Sequence, residues 1–381
     1  MNTPVWDDAP APPRAPLQGT IRADVCVIGL GGSGLSALEE LRDAGVTAIG
    51  LDARAAGAGA AGRNGGFILA GMPRFFHELV AQTGPDLAAE LYRATLTEVR
   101  RQAAAFPDVY RLNGSLRLAA DAAEQADCRA HLAALRQAEL PGEWYRGPEG
   151  EGLLLPEDGV FHPLRRVRRL AKALEGTGVR LYEGSPVRRL VPGQVVTDAG
   201  VVLCDTVIAA VDGRLERLLP ELAPRVRTAR LQMLATAPAP EVAFPRPIYW
   251  RHGYEYWQQL PDRSIALGGF RDHAIEQEWT HEAEPTDFIQ GLLDRFLREH
   301  LQVRAPVTHR WAASVAYTAD GLPVLEQVRP KVWAAGGYNG TGNIVGALTA
   351  RAAARLACGA KDGWAELIRR ARERPDGARQ S

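Results

Sequence analysis

Apolar and polar positions change rhythm several times along this chain, and the changes mark its elements. Val25-Cys26-Val27-Ile28 is an unbroken apolar run, residues 35–44 space apolar side chains three and four apart, and 46–51 is apolar again. A run without alternation suits a strand buried on both faces, and a 3.6 period suits a helix packed along one side, so the chain opens β-α-β. Helical spacing returns over 85–106 and 122–139, separated by 112–118, which alternates as a strand does. An arginine-rich helix over 164–175 and a strand over 179–182 follow, with His162 read as a loop residue ahead of Pro163. Residues 195–197 and 201–203 flank Asp198-Ala199-Gly200 as a hairpin, and 205–210 is a further buried strand. The short runs 247–251, 254–260 and 264–269 predict an antiparallel meander. A strand (332–335), a glycine loop (336–343) and an alanine-rich helix (344–358) then repeat the opening order, and the charged tail after Ala371 is expected to fray.

The first junction carries chemistry. The strand runs into Gly29-Leu30-Gly31-Gly32-Ser33-Gly34, a Gly-x-Gly-x-x-Gly that opens a helix. Gly29 permits the tight turn, Gly31 lets backbone N–H groups approach a diphosphate, and Gly34 lets helix pack on strand. A diphosphate would sit at the unpaired N–H groups and positive dipole end of the helix beginning at Ser33. Asp52 follows Gly29 by 23 positions, close to the roughly 20 expected of an acid that accepts from a ribose hydroxyl. A second match, Gly57-Ala58-Gly59-Ala60-Ala61-Gly62, has no strand before it and reads as part of a long loop. Nicotinamide and flavin enzymes share this fingerprint, so the motif alone leaves the dinucleotide open.

Composition narrows the class. Lys+Arg and Asp+Glu both number 45 in 381 residues, and the cations are scattered, which removes the electrostatic footprint of a nucleic-acid binder. The length favours two packed domains. Lys172, Lys331 and Lys361 are the only lysines, so catalytic amines are scarce. Cys26, Cys128, Cys204 and Cys358 form no C-x-x-C and read as mostly buried, reduced thiols; no metal site is expected. The first residues are rich in proline and acid, and no apolar run approaches the roughly 18 residues of a membrane span. A cytoplasmic protein without a transmembrane segment is the expectation.

Four ordered motifs resemble the FAD-dependent D-amino-acid oxidase superfamily, which includes glycine and sarcosine oxidases, and within it the gamma-glutamylputrescine oxidoreductase group. They are the opening fingerprint with Trp6 ahead of it, Gly59-Ala60-Ala61-Gly62-Arg63-Asn64-Gly65-Gly66, Asp320-Gly321-Leu322-Pro323, and the terminal Gly337-Tyr338-Asn339-Gly340-Thr341-Gly342. The resemblance implies an α/β, two-domain fold: a Rossmann-type FAD domain of three segments (1–81, 150–213 and 305–381) and an inserted antiparallel-sheet substrate domain (82–149 and 214–304). It places the ADP half of FAD on Gly29, Gly31, Gly32, Ser33, Gly34, Asp52, Ala53 and Arg54, and adenine on the backbone of Val187. Gly62, Arg63, Asn64, Gly65 and Gly66 would run along the ribityl chain and ring. Reduced flavin gathers negative charge near N1 and the C2 carbonyl, so N–H groups of Gly340, Thr341 and Gly342, with Gly337 and Asn339 shaping the loop, would stabilise it.

Departures from relatives refine this picture. Where some attach flavin through cysteine or histidine, this chain has Val315 and a run of alanine and glycine, so the FAD is expected to be non-covalent. Ile344 stands where sarcosine-oxidase-like members hold a substrate carboxylate with lysine, and no lysine lies in the meander to promote reaction with oxygen. The implied partner is a small-molecule amine or amino acid, oxidised to an imine that water hydrolyses, with O2 or another electron acceptor closing the cycle. Oligomeric state is left open. Candidate catalytic groups are Tyr254 and Tyr256, which with Gln258 alternate onto one strand face, Arg271 as a bidentate carboxylate receiver, and Tyr338 in the terminal loop. Three other readings stay open: a nicotinamide dehydrogenase, a flavoprotein dehydrogenase of a hydroxy acid or polyol phosphate, and a flavin-holding module without turnover.

Overall fold

The computed structural model describes residues 2–191 and 193–373; the tail expected to fray after Ala371 is helical through Glu373, and the rest of it, 374–381, lies outside the described residues. The apolar opening becomes a strand, β1 (Gly19–Ile28), then a helix, α1 (Gly32–Asp43), then β2 (Ala48–Leu51). β1 lies parallel to β2 and to Gly200–Ala209, with Val25 opposite Ala48 and Ile28 opposite both Leu51 and Ala209. Both faces of this sheet are covered, which is why its strands read as unbroken apolar runs. Arg180–Tyr182 extends the sheet beyond β2, and the hairpin Gln194–Thr197 with Val187–Val191 extends it past Gly200–Ala209. The two runs expected at 201–203 and 205–210 are one ten-residue strand: its first half pairs with the hairpin, its second half with Val332–Gly336.

A second eight-stranded sheet carries the meander Ile248–Trp250, Glu255–Gln259 and Ile265–Gly268, antiparallel as expected. The sheet is not wholly antiparallel, because Ile248–Trp250 runs parallel to Ser115–Leu118. Its longest pair, Val226–Thr236 with Val307–Thr318, escaped the sequence reading. Val226–Thr236 is covered along almost its whole length and buries Thr228, Arg230 and Gln232 among apolar neighbours, so no two-residue alternation appears in its sequence. Arg230 is tolerated there because Glu278, equally buried, receives it at 3.0 and 2.8 Å.

Gly150–Leu155 and Val307–Thr318 hydrogen-bond within the second sheet, although the sequence grouped residues 150–213 and 305–381 with the cofactor segments. The helices Pro85–Ala105 and Ala122–Gln137 form close to their expected limits. His162 caps the helix Pro163–Ala173 by accepting from Arg165 N–H at 3.2 Å. Of the four cysteines three are buried and Cys358 is exposed. Among the described residues no helix is long and apolar enough to cross a membrane.

Candidate active site

The end of β1 turns sharply at Gly29, whose φ of +104° belongs to glycine, and whose N–H donates to the Leu51 carbonyl at 2.7 Å. α1 begins immediately, with no side-chain cap and no acid in its first turn. Gly32 and Ser33 are buried, so the uncapped N–H groups and the positive end of the helix face a cavity rather than bulk water. This cavity, of about 1000 Å³, runs past Asp52, Ala53, Arg54 and Val187 at one end to Arg271 and Tyr254 at the other. It is large for a small-molecule site. The Asp52 carboxylate accepts from Leu30 N–H at 2.8 Å and Arg54 N–H at 2.9 Å, and burial raises its pKa against those bonds. It therefore braces the turn around Gly29 while still lining the cavity.

The two glycine segments, nearly three hundred residues apart in the chain, meet here. Asn64 and Asn343 approach to 3.3 Å, and Asn343 also donates to the Phe67 carbonyl at 3.0 Å. A Cβ on Gly346 would stand 2.7 Å from Ser33 Oγ, so α1 and the helix Val345–Ala357 touch through that glycine. In the terminal loop Gly337, Asn339 and Gly340 take φ of +66°, +52° and +87°. Thr341 N–H is consumed inside the turn, donating to the Tyr338 carbonyl at 2.9 Å, which leaves Gly340 and Gly342 as the loop's free donors among the described residues.

The loop from Gly62 to Gly66 is held by its own side chains. Arg63 donates to the Ala312 carbonyl at 2.8 Å and to Asn2. Asn64 turns back onto the Ala60 and Ala61 carbonyls at 3.1 and 3.0 Å, and Trp6 and Trp311 donate to the Asn64 and Arg63 carbonyls at 2.8 and 2.7 Å. Trp6 thus fastens the loop from outside. Gln258 does likewise, reaching the Gly65 carbonyl at 2.5 Å, so it is not the free amide that strand alternation suggested.

The remaining candidates part company. Tyr256 lies in the cavity wall with Tyr249 and Phe67, ring centroids 5.8 and 6.0 Å away, and burial pushes its phenol pKa up. Tyr254 precedes the strand Glu255–Gln259 rather than belonging to it, and at 40 % exposure stands at the cavity rim. Tyr338, 2 % exposed, packs into the core beneath its loop, its ring filling the space that Gly342 and Gly346 leave. Arg271 lies between two aromatic rings, Trp279 at 4.1 Å and Tyr317 at 4.9 Å, and its Nε and one terminal nitrogen are buried without a hydrogen-bond partner.

Three further wall residues were invisible to local motif reading. Asp212 receives the Tyr338 and Ala316 N–H groups at 3.1 and 3.2 Å, and burial raises its pKa to about 6. Arg117 lies over the Phe75 ring at 4.6 Å. Asp158, fully buried, accepts from Ser115 Oγ at 2.6 Å and Ala70 N–H at 2.8 Å, and burial raises its pKa to about 7. Because its folded pKa lies above the free value of 3.8, its contribution is most favourable below about pH 4 and is lost as pH rises to about 7. Asp158→Asn, which cannot ionise, is expected to remove on the order of 2 kcal/mol of that decline. Melting temperatures of the two proteins between pH 5 and 8 would show it as converging acid limbs and a more stable variant at neutral pH; parallel curves would contradict it.

Comparison with known proteins agrees with this geometry. The chain is 26% identical to the probable oxidoreductase OrdL of Rhizobium meliloti (strain 1021), over 93% of this chain and 88% of that one. It is 25% identical to the gamma-glutamylputrescine oxidoreductase of Escherichia coli (strain K12), over 89% and 84% respectively. In fold it superposes on L-proline dehydrogenase from P. horikoshii with a TM-score of 0.73 at 17% identity, covering 91% of this chain and 96% of the other. The model of the FAD dependent oxidoreductase family (DAO) matches residues 24–356, and with nearly the whole cofactor cradle and cavity inside that span, the chain belongs to this family.

Proposed function

We propose that this enzyme oxidises the C–N bond of an amine that also carries a carboxylate, an amino acid or a conjugate of one, giving an imine that water hydrolyses. The carrying observation is Arg271, a cation whose Nε and one terminal nitrogen are buried in the cavity wall and, among the described residues, unmet by any acid. Such a fork is matched by a carboxylate, in two parallel N–H···O bonds. The name of the E. coli relative, gamma-glutamylputrescine oxidoreductase, supports a substrate with both groups.

The residues present fit FAD as its cofactor. The uncapped first turn of α1 would take the diphosphate, Asp52 the ribose, the Val187 backbone the adenine, and the loops at 62–66 and 337–342 the ribityl chain and ring. Bound FAD supplies the two-electron acceptor for the substrate's hydride. The protein's part is to position and to desolvate. Arg271 fixes one end of the substrate, and Tyr249, Tyr256 and Phe67 exclude water from the other. In a dry site the neutral form of an amine gains on its ammonium form, so the lone pair that drives loss of hydride is available without a dedicated base. The free Gly340 and Gly342 N–H groups would meet charge that develops on reduction.

Anaerobic stopped-flow bleaching of the flavin would test this, with D-amino acids, glycine, proline, gamma-glutamyl polyamines, free polyamines and hydroxy acids. Carboxylated amines should bleach it fastest; bleaching by hydroxy acids alone, or equally fast by unsubstituted polyamines, would reject the proposal. None of the three lysines lines the cavity, so reoxidation by air should be slow beside that by an artificial acceptor.

A further inference from the structure

Arg166 stands on the helix Pro163–Ala173, four residues past its capping histidine, and is 2 % exposed. One terminal nitrogen has no hydrogen-bond partner, the other reaches only the Asn343 carbonyl at 3.5 Å, and no acid pairs with it among the described residues. It abuts the first turn of α1: a Cβ on Gly32 would stand 2.3 Å from the orphaned nitrogen. The Tyr110 hydroxyl, which donates to Gln102 at 2.9 Å, faces it as well, and its neutral oxygen can accept from the guanidinium without balancing the charge. The neighbouring acid Glu98 is already engaged by Arg101 and Gln102.

A full positive charge therefore lies beside the positive end of an uncapped helix, with both lining the same cavity and no counter-charge between them. Burying an unpaired cation is costly, and setting it against a helix N-terminus adds repulsion. One group in the cavity relieves both, an anion bridging the guanidinium and the α1 N–H groups. We infer that Arg166 is a ligand of the cofactor's diphosphate, closing from the side a site that the glycine turn opens from below. The same contact explains Gly32, which is none of the three fingerprint glycines: its missing side chain is the space the guanidinium occupies.

The inference rests on FAD as the cofactor, and wild-type titration tests that separately. Flavin-free full-length protein would be titrated with FAD, ADP and riboflavin, which lacks phosphate. Arg166→Met should weaken FAD and ADP by roughly 10–100-fold, the range of a charge-assisted hydrogen bond, and leave riboflavin within about threefold. The flavin-free variant should melt no lower than flavin-free wild type, because an unpaired buried charge has gone. Gly32→Ala, which pushes the guanidinium away, should copy the pattern, and Arg166→Gln, neutral and polar, would be read by the same ratio if the methionine variant does not fold. Unchanged FAD affinity, or equal losses for FAD and riboflavin, would overturn the assignment; a wild type that binds no FAD would instead overturn the cofactor.

Discussion

Arg271→Met is expected to lower kcat/KM for a carboxylated amine by about 10²–10³-fold, the cost of removing one partner from a buried, hydrogen-bonded charge pair. The size follows from the setting. Arg271 is clamped between Trp279 and Tyr317, so its fork is already oriented, and a substrate carboxylate would spend little ordering it. For an amine without a carboxylate the same variant should lose little, since nothing then sits on the fork. Arg271→Lys keeps the charge but not the planar stacking, and should fall between the two. Measured with a matched substrate pair, an equal loss on both members would mean that Arg271 supports the wall and holds no carboxylate.

Gly34→Ala should prevent accumulation of yellow holoprotein. A Cβ at position 34 would stand 1.8 Å from the Gly29 carbonyl oxygen, and that atom is backbone in the one turn whose shape the cofactor site requires. α1 could escape only by lifting off β1, which would disturb the buried contacts of Leu35, Leu38 and Leu41 as well. A destabilisation of about 3 kcal/mol or more is expected, at the upper end of overpacking effects. Gly45→Ala is a useful contrast, since its Cβ would meet nothing within 4 Å and only its φ of +71° is strained. Flavin absorbance per mole of purified protein and urea midpoints would compare them; a Gly34→Ala protein with full flavin content would show that the turn can relax.

What the chain spells out locally is what its own neighbours require. The Rossmann opening was legible because a positive φ at Gly29 and a near-contact at Gly34 demand glycine at fixed offsets, and because a doubly covered strand must be apolar throughout. The terminal loop and its helix were legible for the same reason, and the family resemblance added the order of the parts. Tertiary structure alone decided which side chains became tools. Gln258 looked like a site residue and is spent on holding a loop; Tyr338, Arg63 and Asn64 line the cavity while also filling core or bracing loops, and Asp212, Asp158, Arg117 and Arg166 carried no motif yet stand in the same wall. Strand periodicity likewise failed at Val226–Thr236, where a buried arginine depends on Glu278 from a distant helix. A residue's backbone needs are set within a few positions of it, but its charge partner and its access to the cavity are set by segments that only the folded chain brings together, and those decide whether a buried polar group is satisfied or left free to bind.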